Sequence, residues 1–271
     1  MNLLDRVLIL PLLFFSLIVG GVFAALIGQV SPEELARSLV HPETLFALRF
    51  SLTTSCAAMF AALSIGIGAA YFLSRHTFPG KEFLETLLDI PLAMPPLIAG
   101  VGLLFLLGRD LLGGHLARWG IHFILTPWGA VVAQSFVATP IVLRSAQAAF
   151  ASVPKGYEEA ALMLGLSPLQ VFFRINIPLA AKSLLSGIML AWARTLGEFG
   201  ATLMVAGATR FRTETLPIAV YLNISSGELG IALSCSLVLL GTAFAFLLCT
   251  RMLHRTSSND TLSGKDSRWP G

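Results

Sequence analysis

Six stretches of the chain stay apolar for about twenty residues or more, the length an α-helix needs to cross a ~30 Å hydrocarbon layer. They cover residues 7–27, 48–73, 84–107, 125–149, 183–205 and 229–250, and the segments between them hold nearly all of the charge. Ten-residue runs of strict apolar–polar alternation are absent from the sequence, which argues against a membrane β-barrel. The pattern predicts an all-α integral membrane protein with six transmembrane helices. The first span follows Arg6 and carries the small-residue run VFAA at 22–25. Its apolar length exceeds the 7–15 residues of a signal-peptide core, which favours a retained helix over the alternative of a cleaved leader. In the third span, Pro91, Pro95 and Pro96 predict a kink or a break whose freed carbonyls need partners on neighbouring helices.

The connector between the fourth and fifth spans, about 150–182, is too long for a simple loop and has helical grammar. Residues 155–164 are good helix formers, Gly165 suits the left-handed position that closes a helix, and Ser167-Pro168 reads as an N-cap followed by proline at the first helical position. Pro178 is expected to interrupt the chain before the fifth span. The result is an ordered helix–turn–helix element exposing Leu162, Met163, Leu166 and Phe172; the alternative is an amphipathic segment lying on lipid. A single transmembrane domain, 1–256, followed by a polar, disordered tail, 257–271, completes the organisation.

Composition narrows the function classes. The 271 residues are 55% hydrophobic and 12% charged, about half the charge of a typical soluble domain. A net charge of +3 is too small to point to a nucleic-acid backbone as partner. Lysines and arginines place both termini inside by the positive-inside rule: eleven (Arg6, Arg75, Lys81, Arg144, Lys155, Arg174, Lys182, Arg251, Arg255, Lys265, Arg268) fall on that side against six (Arg37, Arg49, Arg109, Arg118, Arg210, Arg212) on the other. Cys56, Cys235 and Cys249 lie in apolar stretches without metal-ligand spacing and read as packing residues. The Gly-Lys pairs at 80–81 and 264–265 are followed by Glu82 and Asp266 rather than Ser or Thr, so the chain lacks a phosphate-binding P-loop.

Glu159-Ala160-Ala161, then Gly165, then Ile175-Asn176-Ile177-Pro178 resembles the E-A-A-x3-G-x9-I-x-L-P signature of the membrane subunits of binding-protein-dependent ABC importers, with Ile177 in place of the usual Leu. The resemblance implies that the 150–182 element is a pair of coupling helices docking into a groove of a separate ATPase subunit. Glu159, Ala160, Ala161, Gly165, Ile175 and Pro178 are the residues that would carry the coupling, and the ATP would be bound by the partner, with no cofactor on this chain. It also implies a second permease copy forming a homodimer around a central pathway, an external solute-binding protein, and an inner-membrane location in contact with lipid. The segments ARTLGEFGATLMVAG (193–207), RTETLPIAVY (212–221) and DIPLAMPPLIAGVGLLFLLG (89–108) look like the molybdate-type permeases of the sulfate/molybdate branch. That likeness implies molybdate as cargo, with tungstate, sulfate or thiosulfate as alternatives.

Charge inside a span is costly, about 2.5–3.5 kcal/mol at the bilayer centre on insertion scales. Arg194 and Glu198 stand four residues apart in the fifth span and share a helix face, which Thr202 continues. These three are candidates for a pathway or gate; the competing reading is an ion pair that fixes packing. Ala193, Gly197 and Ala201 form a small-residue row suited to close helix approach. Two rival functions remain at this level: an ion-coupled secondary transporter using Glu198 as its proton carrier, and a non-transporting membrane scaffold.

Overall fold

The computed structural model describes residues 3–29 and 31–263, with the helices α1 (Leu3–Gly28), α2 (Pro32–Leu39), α3 (Pro42–Arg75), α4 (Lys81–Ala93), α5 (Pro96–Leu106), α6 (Leu112–Ala117), α7 (Pro127–Ala151), α8 (Lys155–Met163), α9 (Pro168–Val171), α10 (Ile177–Leu196), α11 (Gly200–Ala206), α12 (Leu216–Ser225) and α13 (Leu229–Ser263). Among the described residues, five helical stretches are long and apolar enough to cross a membrane, and a bent pair, α4 with α5, makes a sixth when taken as one span. The six-span, all-α expectation therefore holds.

The centre of the bundle is the pairing of α3 with α7. Both start on proline, whose missing N–H is harmless in a first turn, and Thr126 caps α7 by accepting from the Gly129 N–H at 3.3 Å. The facing surfaces are built from small residues, Ala58, Ala62, Gly66 and Ala70 against Ala138, Val142 and Ala146, all buried. A Cβ on Gly66 would stand 2.8 Å from Val142 Cγ1. Such surfaces let backbones approach closely, which is how helices associate where lipid removes the hydrophobic incentive. α10 packs onto α7 by the same device: a Cβ on Gly187 would meet Ser145 Cβ at 2.2 Å.

The third span is broken as its prolines predict. α4 ends at Ala93, α5 starts at Pro96, and the two axes meet at 112°. The fifth span departs from its predicted bounds of 183–205. It runs as one apolar stretch from Pro168 to Leu196, through a wide π turn at Phe172–Asn176, and stops at Gly197; α11 is a separate short helix. Pro178 accordingly does not interrupt the chain. It stands in the first turn of α10, where a missing N–H costs little, directly after the wide turn that the Ile177 N–H closes on the Phe172 carbonyl.

Arg144 lies within α7, inside the expected 125–149 span, and is paired with Asp89 of α4 (Nε to Oδ1, 2.5 Å). Two other expectations change. Cys56 is exposed on α3, whereas Cys235 is buried; the Cys249 side chain lies outside the described residues. α13 continues to Ser263, so 257–263 of the expected tail are helical, and 264–271 lie outside the described residues. α1 packs against α13, and the best apolar window of its stretch Leu8–Gly28 buries none of its residues.

Candidate functional site

The motif segment folds as its grammar indicates. α8 ends in a closed turn in which Gly165 takes φ +86°, its N–H bonds the Leu162 carbonyl at 2.9 Å, and the Leu166 N–H bonds the Ala161 carbonyl at 3.2 Å. This pair of bonds satisfies carbonyls that a helix end otherwise leaves bare. Nothing stands within 4 Å of where a Gly165 Cβ would be, so the glycine is required by backbone conformation and not by space. α9 then opens with a reciprocal cap: Gln170 N–H to Ser167 Oγ at 3.3 Å and Ser167 N–H to Gln170 Oε1 at 2.8 Å.

The candidate coupling residues divide by exposure. Glu159, Ala160, Gly165 and Pro178 are exposed, Ile175 is half-buried and Ala161 is buried against the bundle. The Glu159 carboxylate has no partner within the chain among the described residues. Around it the element offers apolar side chains: Met163 and Leu164 are 88% and 81% exposed, with Leu162, Leu169 and Phe173 beside them. Phe172, expected on this surface, instead turns inward and packs on Tyr71 with ring centroids 4.7 Å apart. The surface therefore joins apolar anchors to one unpaired carboxylate, a composition suited to a groove on another protein.

Deeper in the molecule, Arg194 and Glu198 do pair, Nη1 to Oε2 at 2.6 Å, although they bracket a helix end. The second Glu198 oxygen accepts the Ala201 N–H at 3.0 Å, so one carboxylate ties the end of α10 to the start of α11. Glu198 is buried while the Arg194 side chain is 41% exposed. Arg194 lines a cavity of about 130 Å3 with Pro91, Met94 and Pro96 of the broken third span and Val137 and Ile141 of α7. Thr202 does not continue the Arg194 face. It sits on α11, fully buried, with its hydroxyl unpartnered, as does the amide of Gln134 on α7. Gln134 was missed in the sequence, where a lone amide in an apolar span was the available signal.

Of the predicted row of small residues, Ala201 makes a close approach and Gly197 does not. A Cβ on Gly197 would only graze the Ala193 carbonyl at 3.9 Å, but one on Gly200 would meet Pro96 Cβ at 2.9 Å and Leu97 N at 3.0 Å. Gly100 likewise lies against Ala201 Cα, 2.8 Å from a built Cβ. The break in the fifth span is thus seated directly on the break in the third.

At the far end of the bundle from α8, the loop after α11 buries a second acidic group that the sequence did not single out. Glu43 accepts from Asn223 Nδ2 at 2.6 Å and faces Arg210 Nε at 3.7 Å. Glu214, fully buried, accepts the Phe211 N–H at 3.0 Å. Burial pushes the Glu214 carboxyl up to about 7; neighbouring Glu43 adds to the rise, and the Phe211 N–H and Arg210 oppose it.

Residues 62–256 match the family described as binding-protein-dependent transport system inner membrane component. Among curated relatives, the molybdenum transport system permease protein ModB of Escherichia coli (strain K12) is 38% identical, covering 78% of this chain and 93% of that protein. A probable molybdenum ABC transporter permease protein of Haloferax volcanii is 34% identical over 89% of this chain and 86% of its own length. The sulfate transport system permease protein CysT of Salmonella typhimurium is 30% identical, with 89% of each chain covered. In fold, the chain is similar to a subunit of a bacterial alginate ABC transporter solved with an alginate-bound periplasmic protein (TM-score 0.76, 15% identity, 94% of each chain). It is also similar to a chain of the inward-facing MetNI methionine ABC transporter (TM-score 0.63, 17% identity, 79% of this chain and 95% of that one). With its motif folded as an exposed, capped element and its family matched over most of its length, the chain belongs to the inner-membrane permease subunits of binding-protein-dependent ABC importers.

Proposed function

We propose that this permease carries molybdate inward through a pathway formed by two copies of the chain, driven by ATP that a separate subunit binds and hydrolyses. The observation that carries the ATP-driven reading is the α8–α9 element. Its left-handed Gly165 turn and reciprocal cap present Glu159, Met163 and Leu164 as a preshaped surface, and helix-in-groove docking uses that kind of surface. Both termini and this element face the cytoplasm in this reading, with the solute-binding protein meeting the opposite end. ATP binding and release would move the coupling pair as a unit and rock the bundle between two orientations, a rigid-body switch. The first span, 7–27, is retained as a helix and faces lipid or the second copy.

The cargo assignment rests on relatives named for molybdenum transport at 34–38% identity. A sulfate permease at 30% identity supports sulfate as the second reading. The test is ATP hydrolysis by the complex reconstituted with its ATPase and binding protein, with molybdate, tungstate, sulfate and thiosulfate offered in turn. Molybdate should stimulate at the lowest concentration; stimulation led by sulfate would transfer the assignment. Uptake driven by a proton gradient in vesicles without the ATPase would instead support an ion-coupled carrier using Glu198.

A further inference from the structure

Arg75 is the last residue of α3, and the chain separates it widely from the motif. Its guanidinium nevertheless reaches three segments at once. Nε donates to Glu158 Oε1 of α8 at 2.6 Å, and Nη2 faces the same carboxylate. Nη2 also donates to the Val153 carbonyl in the α7–α8 link at 3.2 Å and to Asn176 Oδ1 in the π turn at 3.4 Å. One helical turn back, Tyr71 donates its hydroxyl to Glu158 Oε2 at 3.4 Å and accepts from Asn176 Nδ2 at 3.3 Å. The ring of Tyr71 rests edge-on against Phe150 of α7, centroids 5.4 Å apart. The Arg75 and Glu158 side chains are only 9% and 14% exposed, and Asn176 is fully buried.

The arms of this network run from α3 to α8, to the α7–α8 link and to the π turn, and none of its members is exposed as Glu159 is. A planar guanidinium with a fork of donors holds several acceptors in fixed relative geometry, which an ammonium cannot do. A displacement of α8 therefore acts on α3 through Glu158 and on the start of α10 through Asn176. We infer that Arg75, with Tyr71, Glu158 and Asn176, is the positioning joint that carries movement of the coupling helices into the membrane helices. This rests on the reading that α8–α9 docks an ATPase subunit.

The full complex in proteoliposomes tests it, using Arg75→Lys, Tyr71→Phe and the exchange Arg75→Glu with Glu158→Arg. For Arg75→Lys and Tyr71→Phe, co-purification of the ATPase and basal ATP hydrolysis should match wild type, while the ratio of cargo-stimulated to basal hydrolysis falls roughly tenfold for Arg75→Lys and less for Tyr71→Phe. The charge exchange should recover part of the ratio that Glu158→Arg alone loses. A joint with only a structural role would lower yield and leave the ratio of the assembled fraction unchanged. Wild-type ratios in assembled Arg75→Lys and Tyr71→Phe complexes would overturn the inference, and so would loss of ATPase co-purification in Tyr71→Phe, which would make the network part of the docking surface. Failure of the wild-type chain to bind an ATPase would sink the docking reading itself, a distinct result.

Discussion

Two arginine–glutamate pairs in this chain have similar chemistry and opposite architecture. Arg194 and Glu198 are four residues apart, and their pair spans a break, holding α11 to α10 through the Ala201 N–H. Arg75 and Glu158 come from different elements, and their pair sits where α3, α8 and the π turn converge. In the first, burial is unequal: the carboxylate is buried and the arginine side chain 41% exposed, opening onto the cavity beside the third span. In the second, both groups are nearly enclosed. The difference teaches that a charge pair in a membrane protein acts according to what its ends are attached to. The local pair fixes a discontinuity within one span, and the long-range pair fastens separate elements together.

Four changes sharpen or break that contrast. The largest effect is expected of Gly165→Pro, because proline holds φ near −65° where the turn needs +86° and removes the N–H that bonds Leu162. Co-purification of the ATPase should be lost with the membrane helices still inserted, read by pull-down beside circular dichroism. ATP-driven uptake at the wild-type rate would break the coupling assignment. Glu198→Ala comes next: it strips the Ala201 cap and leaves the part-exposed Arg194 unpaired, a cost of about 1–3 kcal/mol for the lost cap and charge-assisted hydrogen bond. The melting temperature in detergent should fall clearly. A stable variant with unchanged transport would make this pair dispensable.

Gly200→Val should cost about 1–3 kcal/mol by overpacking, since its Cβ meets Pro96 and the Leu97 backbone. Gly197→Ala, at a position without such a contact, serves as the control in the same melting assay. The smallest effect is a pH dependence at the far end of the bundle. Burial disfavours the ionised form of Glu214, with a carboxyl at about 7 against an ordinary 4.5. A raised carboxyl contributes stability at low pH and loses it as pH climbs through the folded value. The melting temperature should therefore decline from about pH 4.5 to about pH 7 and level off above that, and Glu214→Gln should flatten that decline; an unchanged slope would remove Glu214 as its source.

The parts of this architecture that were legible from the sequence are those governed by neighbours along the chain. Apolar run length gave six spans, Pro95-Pro96 gave the break in the third, and Gly165 with Ser167-Pro168 gave the turn and cap of the coupling pair. The ion pair at 194 and 198 was also readable, because four-residue spacing brings side chains together even at a helix end. The end of the fifth span at Gly197 was not, since 193–205 carries no polar residue besides the pair, Thr195 and Thr202, and periodicity does not register a bend. Phe172 could not be assigned inward without the wide π turn that rotates it onto Tyr71. The contacts Arg75–Glu158, Arg144–Asp89 and Glu43–Asn223 join distant parts of the chain, and no local rule pairs them.

The 112° bend of the third span bears on the order in which the protein is made. Its halves have 13 and 11 residues, about 20 and 16 Å at 1.5 Å per residue, so neither half crosses a 30 Å layer alone. Two of the contacts that steady them are encoded downstream: Arg144 of α7 grips Asp89 in the first half, and α11 packs on the second, with Gly200 against Pro96 and Ala201 against Gly100. A ribosome delivering the chain from its amino end releases the third span before either of these contacts exists. A truncation after residue 110 would keep the upstream tie of Lys81 to the Leu73 carbonyl at 2.6 Å and lose both of the contacts that bracket the bend.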